Sequence, residues 1–166
     1  MTRFRGMRRR CKCERGSTLV EFALAAPILF MVTFLIVDLG NFFFKEHTVQ
    51  FATREGMRLA LVGANLKDQN GNLMGREATI VSTIERIAGT AGIQPGQLTI
   101  SVYPLTSEYD DPPGWQGRRD PGAAGQYMRV RTQYHYDFLT PLVKNLGPVK
   151  NASITASGTY RNENFE

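Results

Sequence analysis

The sequence predicts an α+β protein: one long N-terminal helix, apolar over its first half, then a further helix and a small antiparallel sheet of about three strands. Three observations lead there. Residues 22–37 carry no charge. Apolar residues recur at helical spacing at Ile80, Ile84, Ile87 and Ala91, with Glu77, Glu85 and Arg86 outside. Strict alternation follows at 98–103 and, most strongly, at 128–136, where Met128, Val130, Tyr134 and Tyr136 oppose Arg129, Arg131, Gln133 and His135. Ile154, Ala156 and Tyr160 propose a third strand.

The N-terminus divides the charge of the chain. Residues 1–16 hold seven arginines and lysines against Glu14, a net +6, so that of the formal +5 the remaining 150 residues carry −1. A basic arm ahead of an apolar segment reads as a cytoplasmic retention signal. Nucleic-acid binding by the arm is the competing reading, and the adjoining span, which would pin it to a bilayer, opposes it, so no nucleic-acid partner is expected. Both cysteines, Cys11 and Cys13, also lie in the arm, so no disulfide framework is available beyond Arg15 and the rest must hold together by burial. Without a second cysteine pair or a nearby histidine they do not make a metal site, and no cofactor or metal is expected.

The apolar segment is long enough to span a membrane. Residues 22–44 are 23 in number, about 34 Å as a helix at ~1.5 Å per residue, against a hydrocarbon core of ~30 Å. A core helix would show a polar face at period 3.6, and residues 22–37 show none. A cleaved signal peptide would carry its small-residue site after the apolar run, whereas Ala23-Leu24-Ala25 opens it. Pro27 reads as a tolerated kink. The division expected is a basic leader at 1–16, a membrane helix at 17–44 and an α+β domain at 45–166, with the N-terminus inside and the domain outside.

Glu21 is the residue out of place. An ionised side chain costs up to ~3 kcal/mol at mid-span and less near the interface, so one left there is expected to have a partner. Lys12 and Arg15 are candidates. The other candidate is the α-amine that a cut after Gly16 would create on Ser17, one helical turn away, in the same chain or a neighbouring copy.

The run Gly16, Ser17-Thr18-Leu19-Val20-Glu21-Phe22 before an apolar helix resembles the processing site of type IV prepilin-like proteins. With Pro27, Asp38, Gly40, Arg54-Glu55-Gly56-Met57-Arg58 and the terminal Arg161-Asn162-Glu163, it is similar to the TadE-like pseudopilins of tight-adherence (Flp) pilus systems. Ser17 departs from the phenylalanine common at the first mature position of major pilins and type II secretion pseudopilins. The resemblance implies a pilin-like fold, processing between Gly16 and Ser17 by a prepilin peptidase, assembly roles for Glu21 and Phe22, and other pseudopilins or pilus assembly proteins as partners in a bacterial inner membrane. The alternative is an unprocessed single-pass protein whose outer domain binds a ligand or protein partner.

Beyond the span, Val49, Ala52 and Gly56 follow one helical face and Thr53, Arg54 and Arg58 a polar one, so that the helix is expected to continue to about Val62. Gly56 implies close packing or a weak helix there. Asp68, Asn70 and Asn72 at alternate positions read as a turn, since the glycine and distal glutamate of a calcium loop are missing. Residues 106–125, rich in glycine and proline, are too polar to fold alone. Trp115 with Arg118 and Arg119 makes this loop either a partner-contact surface or a solvated excursion. Two separate histidines, no cysteine beyond the arm and no phosphate-cradling glycine loop leave nucleophilic and metal chemistry without parts, so no enzymatic activity is expected.

Overall fold

The computed structural model of the chain describes residues 14–68, 70–106, 110–140 and 152–163. Helix α1, Glu14–Leu61, runs unbroken for 48 residues and through Pro27, about 72 Å at ~1.5 Å per residue. Its end is specified locally. Gly63 takes a φ of 63°, and the amides of Ala64 and Gly63 donate to the carbonyls of Leu59 (3.1 Å) and Ala60 (3.2 Å). That pair of bonds is a Schellman closure, which favours glycine because a Cβ is strained at positive φ.

Helix α2, Arg76–Gly89, places Glu77 in its first turn and Arg86 in its last, each opposite in sign to the local helix dipole. The strands β1 (Leu98–Pro104), β2 (Tyr127–Tyr136) and β3 (Ala152–Arg161) form one antiparallel sheet in the order β1-β2-β3. Val102 lies opposite Val130, and Val130 opposite Gly158.

Both helices pack on one face of this sheet. Ile80, Ile84 and Ile87 of α2, Ala52 and Ala60 of α1, and Ile100, Val102, Met128 and Val130 of the sheet make one buried cluster. Val49, Ala88, Ile93, Tyr134, Tyr136, Ile154 and Ala156 make a second. As the alternation predicts, Met128, Val130, Tyr134 and Tyr136 are buried and His135 is exposed.

Two glycines set how closely α1 can approach its neighbours. A Cβ on Gly56 would sit 2.8 Å from Ile84 Cγ1, and one on Gly158 would meet the end of Met57. Close packing, not a weak helix, therefore explains Gly56. Thr53 departs from the expected polar face: it is buried, donates to the Val49 carbonyl (2.8 Å) and shares a hydrogen bond with Thr132 (2.9 Å). A hydroxyl can enter the core where another hydroxyl faces it, and periodicity carries no record of that cross-element partner.

Asp68 closes a turn as expected, its carboxylate accepting from the amides of Asn70 (2.8 Å) and Asn72 (2.9 Å), with Gly71 at a φ of 83°.

Candidate functional site

The first half of α1 is a bare apolar rod. From Leu19 to Val37 its large side chains project away from the rest of the protein, and the membrane-length window within Ser17–Leu61 buries none of its surface against the protein. Glu21 stands on this rod, one turn from Ser17, whose hydroxyl donates to its carboxylate at 3.1 Å. The hydroxyl is a neutral donor and satisfies one lone pair of the carboxylate. Phe22 beside it is 66 % exposed. Gly16 and Ser17 lie in the opening turns of α1. Residues 1–13 of the leader, with Lys12, and the side chain of Arg15 lie outside the described residues.

Contact with the globular part begins at Asp38. This aspartate is only 1 % exposed, and its carboxylate accepts the amides of Leu139 (2.9 Å) and Thr140 (3.1 Å) and the Thr140 hydroxyl. One turn on, Asn41 donates to the Tyr136 hydroxyl at 2.9 Å, and Phe42 and Phe138 meet the Tyr136 ring edge-on, at 5.2 and 5.4 Å between centroids. Lys45 then reaches the Tyr134 hydroxyl at 3.1 Å and lies 5.4 Å from the centroids of both tyrosine rings. Asp38 thus fastens the end of β2 to the helix where the bare rod ends.

The loop between β1 and β2 is fastened as well. The backbone of residues 118–120 pairs with the edge of β1, Val102 donating to Arg118 (2.7 Å) and Asp120 to Val102 (2.8 Å), which occupies backbone groups that an edge strand would otherwise leave open. Asp111 reaches over the outer face of the sheet to Tyr103 (2.7 Å), Arg129 (2.5 Å) and Arg131 (2.8 Å). Trp115 lies half-buried, its ring 4.4 Å from the Arg131 guanidinium and 5.7 Å from the Tyr103 ring. That cover is why Ser101 and Tyr103, on the outward side of β1, are fully buried. Arg118 and Arg119 remain on the surface, paired with Asp120 (3.0 Å) and Glu77 (3.7 Å).

Burial raises the Asp111 pKa, but the hydrogen bonds from Tyr103 and Arg129 and the charges of Arg131 and Arg129 outweigh it and hold the carboxyl below its ordinary value. Burial, followed by the hydrogen bond to Asp111, pushes Tyr103 up to about 12. A depressed carboxyl stabilises above its unfolded pKa, and that contribution is lost as pH falls through the folded value. The loop should therefore stay fastened at neutral pH and loosen in acid below about pH 4. Trp115, the single tryptophan of the chain, reports this. Its emission should red-shift on acidification of the detergent-solubilised protein, and Asp111→Ala should show the shifted spectrum already at neutral pH. Wild-type emission from Asp111→Ala would show that Asp111 does not hold the loop.

Asn162 is the other fastening that periodicity does not reveal. It donates to the carbonyls of Pro121 (3.1 Å) and Ala123 (2.8 Å) and accepts from Arg76 (2.8 Å), which also reaches Ala60 O at 3.1 Å. The chain end, the loop, α2 and the end of α1 meet there. A lone carboxylate inside an apolar run is the signal that marks Asp38, as it marks Glu21; Asn162 is visible in the sequence only through the resemblance carried by Arg161-Asn162-Glu163.

A long exposed apolar helix docked at one end onto a three-stranded sheet defines an α+β protein whose N-terminal helix is, among the described residues, the one long and apolar enough to cross a membrane. More particularly, the family model described as TadE-like protein matches residues 16–58, from the glycine ahead of the apolar helix to Arg58. The match covers 43 of the 166 residues. Neither a curated protein nor a solved structure matches the chain.

Proposed function

We propose that the chain is a minor pseudopilin of a tight-adherence pilus system, a structural part in assembly with no catalytic activity. In this reading a prepilin peptidase removes the basic leader between Gly16 and Ser17. α1 then holds the protein in the inner membrane, N-terminus cytoplasmic, and its globular part outside meets other pseudopilins or assembly proteins. The observation that carries it is the coincidence of the family match, which opens at Gly16, with a helix left bare from Leu19 to Val37. A surface of that kind is stable only in lipid or against other apolar helices. Trp115 over the outer face of the sheet and Arg118 and Arg119 along the edge of β1 supply candidate contacts.

Mass spectrometry of the protein extracted from membranes of a strain with an active prepilin peptidase tests the reading. The wild-type protein should begin at Ser17, and Gly16→Leu should retain the leader, because a side chain at that position obstructs the peptidase cleft. A wild-type N-terminus at Met1 or Thr2 would overturn the pseudopilin reading in favour of an unprocessed single-pass binding protein.

A further inference from the structure

We infer that the turn after β2, residues 138–140, is a second membrane contact: Leu139 enters the lipid boundary beside α1, and Asp38 holds it there. The inference rests on the reading of α1 as a membrane helix.

Depth along the helix is the first reason. With Phe22 at one edge, a hydrocarbon core of ~30 Å uses about 20 residues at ~1.5 Å each and ends near Asn41. Asp38 is three residues short of that edge, so its carboxylate belongs below the boundary, where an uncovered charge is unfavourable. The protein covers it with the two amides and one hydroxyl of Leu139 and Thr140, leaving it 1 % exposed. A cover at Asp38 must lie at the depth of Asp38. The turn therefore shares the boundary with the helix.

The chemistry of the neighbouring residues agrees. Leu139 is 62 % exposed, and on α1 at this level Leu35, Leu39 and Phe43 are each about half exposed, so the apolar surface of the anchor continues onto the turn. Seven residues beyond Asp38, Lys45 lies against Tyr134 and Tyr136, the combination of aromatic rings and a long cation that suits the headgroup layer. One surface, apolar below and aromatic with a cation above, fits a lipid interface.

The test uses the full chain with Cys11 and Cys13 changed to serine and one new cysteine carrying a polarity-sensitive bimane, reconstituted in phosphatidylcholine–phosphatidylglycerol vesicles. Nitroxide lipids quench at shallow or deep positions, and iodide quenches from water. A label at Leu139→Cys should emit to the blue and lose most of its intensity to the shallow nitroxide. One at Leu29→Cys should respond to the deep nitroxide, and one at Ser157→Cys, on the exposed face of β3, to iodide alone. Adding Asp38→Ala should move the Leu139→Cys label from shallow nitroxide to iodide while Trp115 emission stays native.

If Leu139→Cys behaves as Ser157→Cys while Leu29→Cys keeps its deep quenching, the second contact is wrong and the anchor stands. Loss of deep quenching at Leu29→Cys would sink the anchor itself. Protection of Leu139→Cys from both nitroxide and iodide would assign the surface to a second copy of the chain instead, and an unmoved label in the Asp38→Ala background would remove Asp38 from its holding role.

Discussion

Val130→Asp should cost the globular part most of its stability, about 3–5 kcal/mol against the 5–15 kcal/mol typical of a domain. Val130 sits fully buried at the centre of the central strand, in one cluster with Ala52, Ile80, Ile84 and Ile100. The inserted carboxylate would lose hydration and gain no cation, because the arginines of β2, Arg129 and Arg131, project from the opposite face and hold Asp111. His135→Ala removes an exposed side chain from that outer face and should change stability by no more than ~0.5 kcal/mol. Thermal melts of the two solubilised variants decide it. Equal losses would mean that the faces of β2 are assigned the wrong way round.

Glu21→Ala should be processed and inserted yet leave cells without pili, provided the pseudopilin reading is right. In the intact chain the described partner of Glu21 is the Ser17 hydroxyl, which becomes part of the new N-terminal residue once the leader is cut. The freed α-amine is a cation, and two unit charges ~4 Å apart attract by ~4 kcal/mol at the effective dielectric of a protein surface. An attraction of that order is comparable to the ~3 kcal/mol that insertion scales assign to a charge at mid-span. Where that amine belongs to the next subunit rather than to the same chain, the charge is less favourable in a lone subunit than in an assembly, which biases the membrane pool toward assembly. Pilus counts in a complemented deletion strain, with mass spectrometry to confirm the Ser17 terminus, give the result. Wild-type piliation by Glu21→Ala would remove the pairing role and leave Glu21 a tolerated surface charge.

Much of the fold is legible because it depends on patterns within each element. The bare rod follows from sixteen uncharged residues, α2 from Ile80, Ile84 and Ile87 at helical spacing, and the inward side of β2 from strict alternation. Solvent preference acts on each of these residues separately, so the order of residue types is enough. Gly16, Ser17 and Glu21 stand out for a similar reason, as a local spacing next to an apolar run that makes a candidate processing site.

The tertiary structure decided what depends on a residue far along the chain. Thr53 reads as a surface threonine until Thr132 meets it, and Gly56 as either a close contact or a weak point until Ile84 packs against it. The loop that holds Trp115 reads as a contact surface or a solvated excursion until Asp111 and Trp115 fasten its described part over Tyr103. Asp38 reads as a lone carboxylate inside an apolar run until Leu139 and Thr140, about a hundred positions on, supply its donors. Burying a polar group is favourable only when a partner is in place. That partner is a property of the folded arrangement, so periodicity could place the elements while only their packing could pair the polar groups between them.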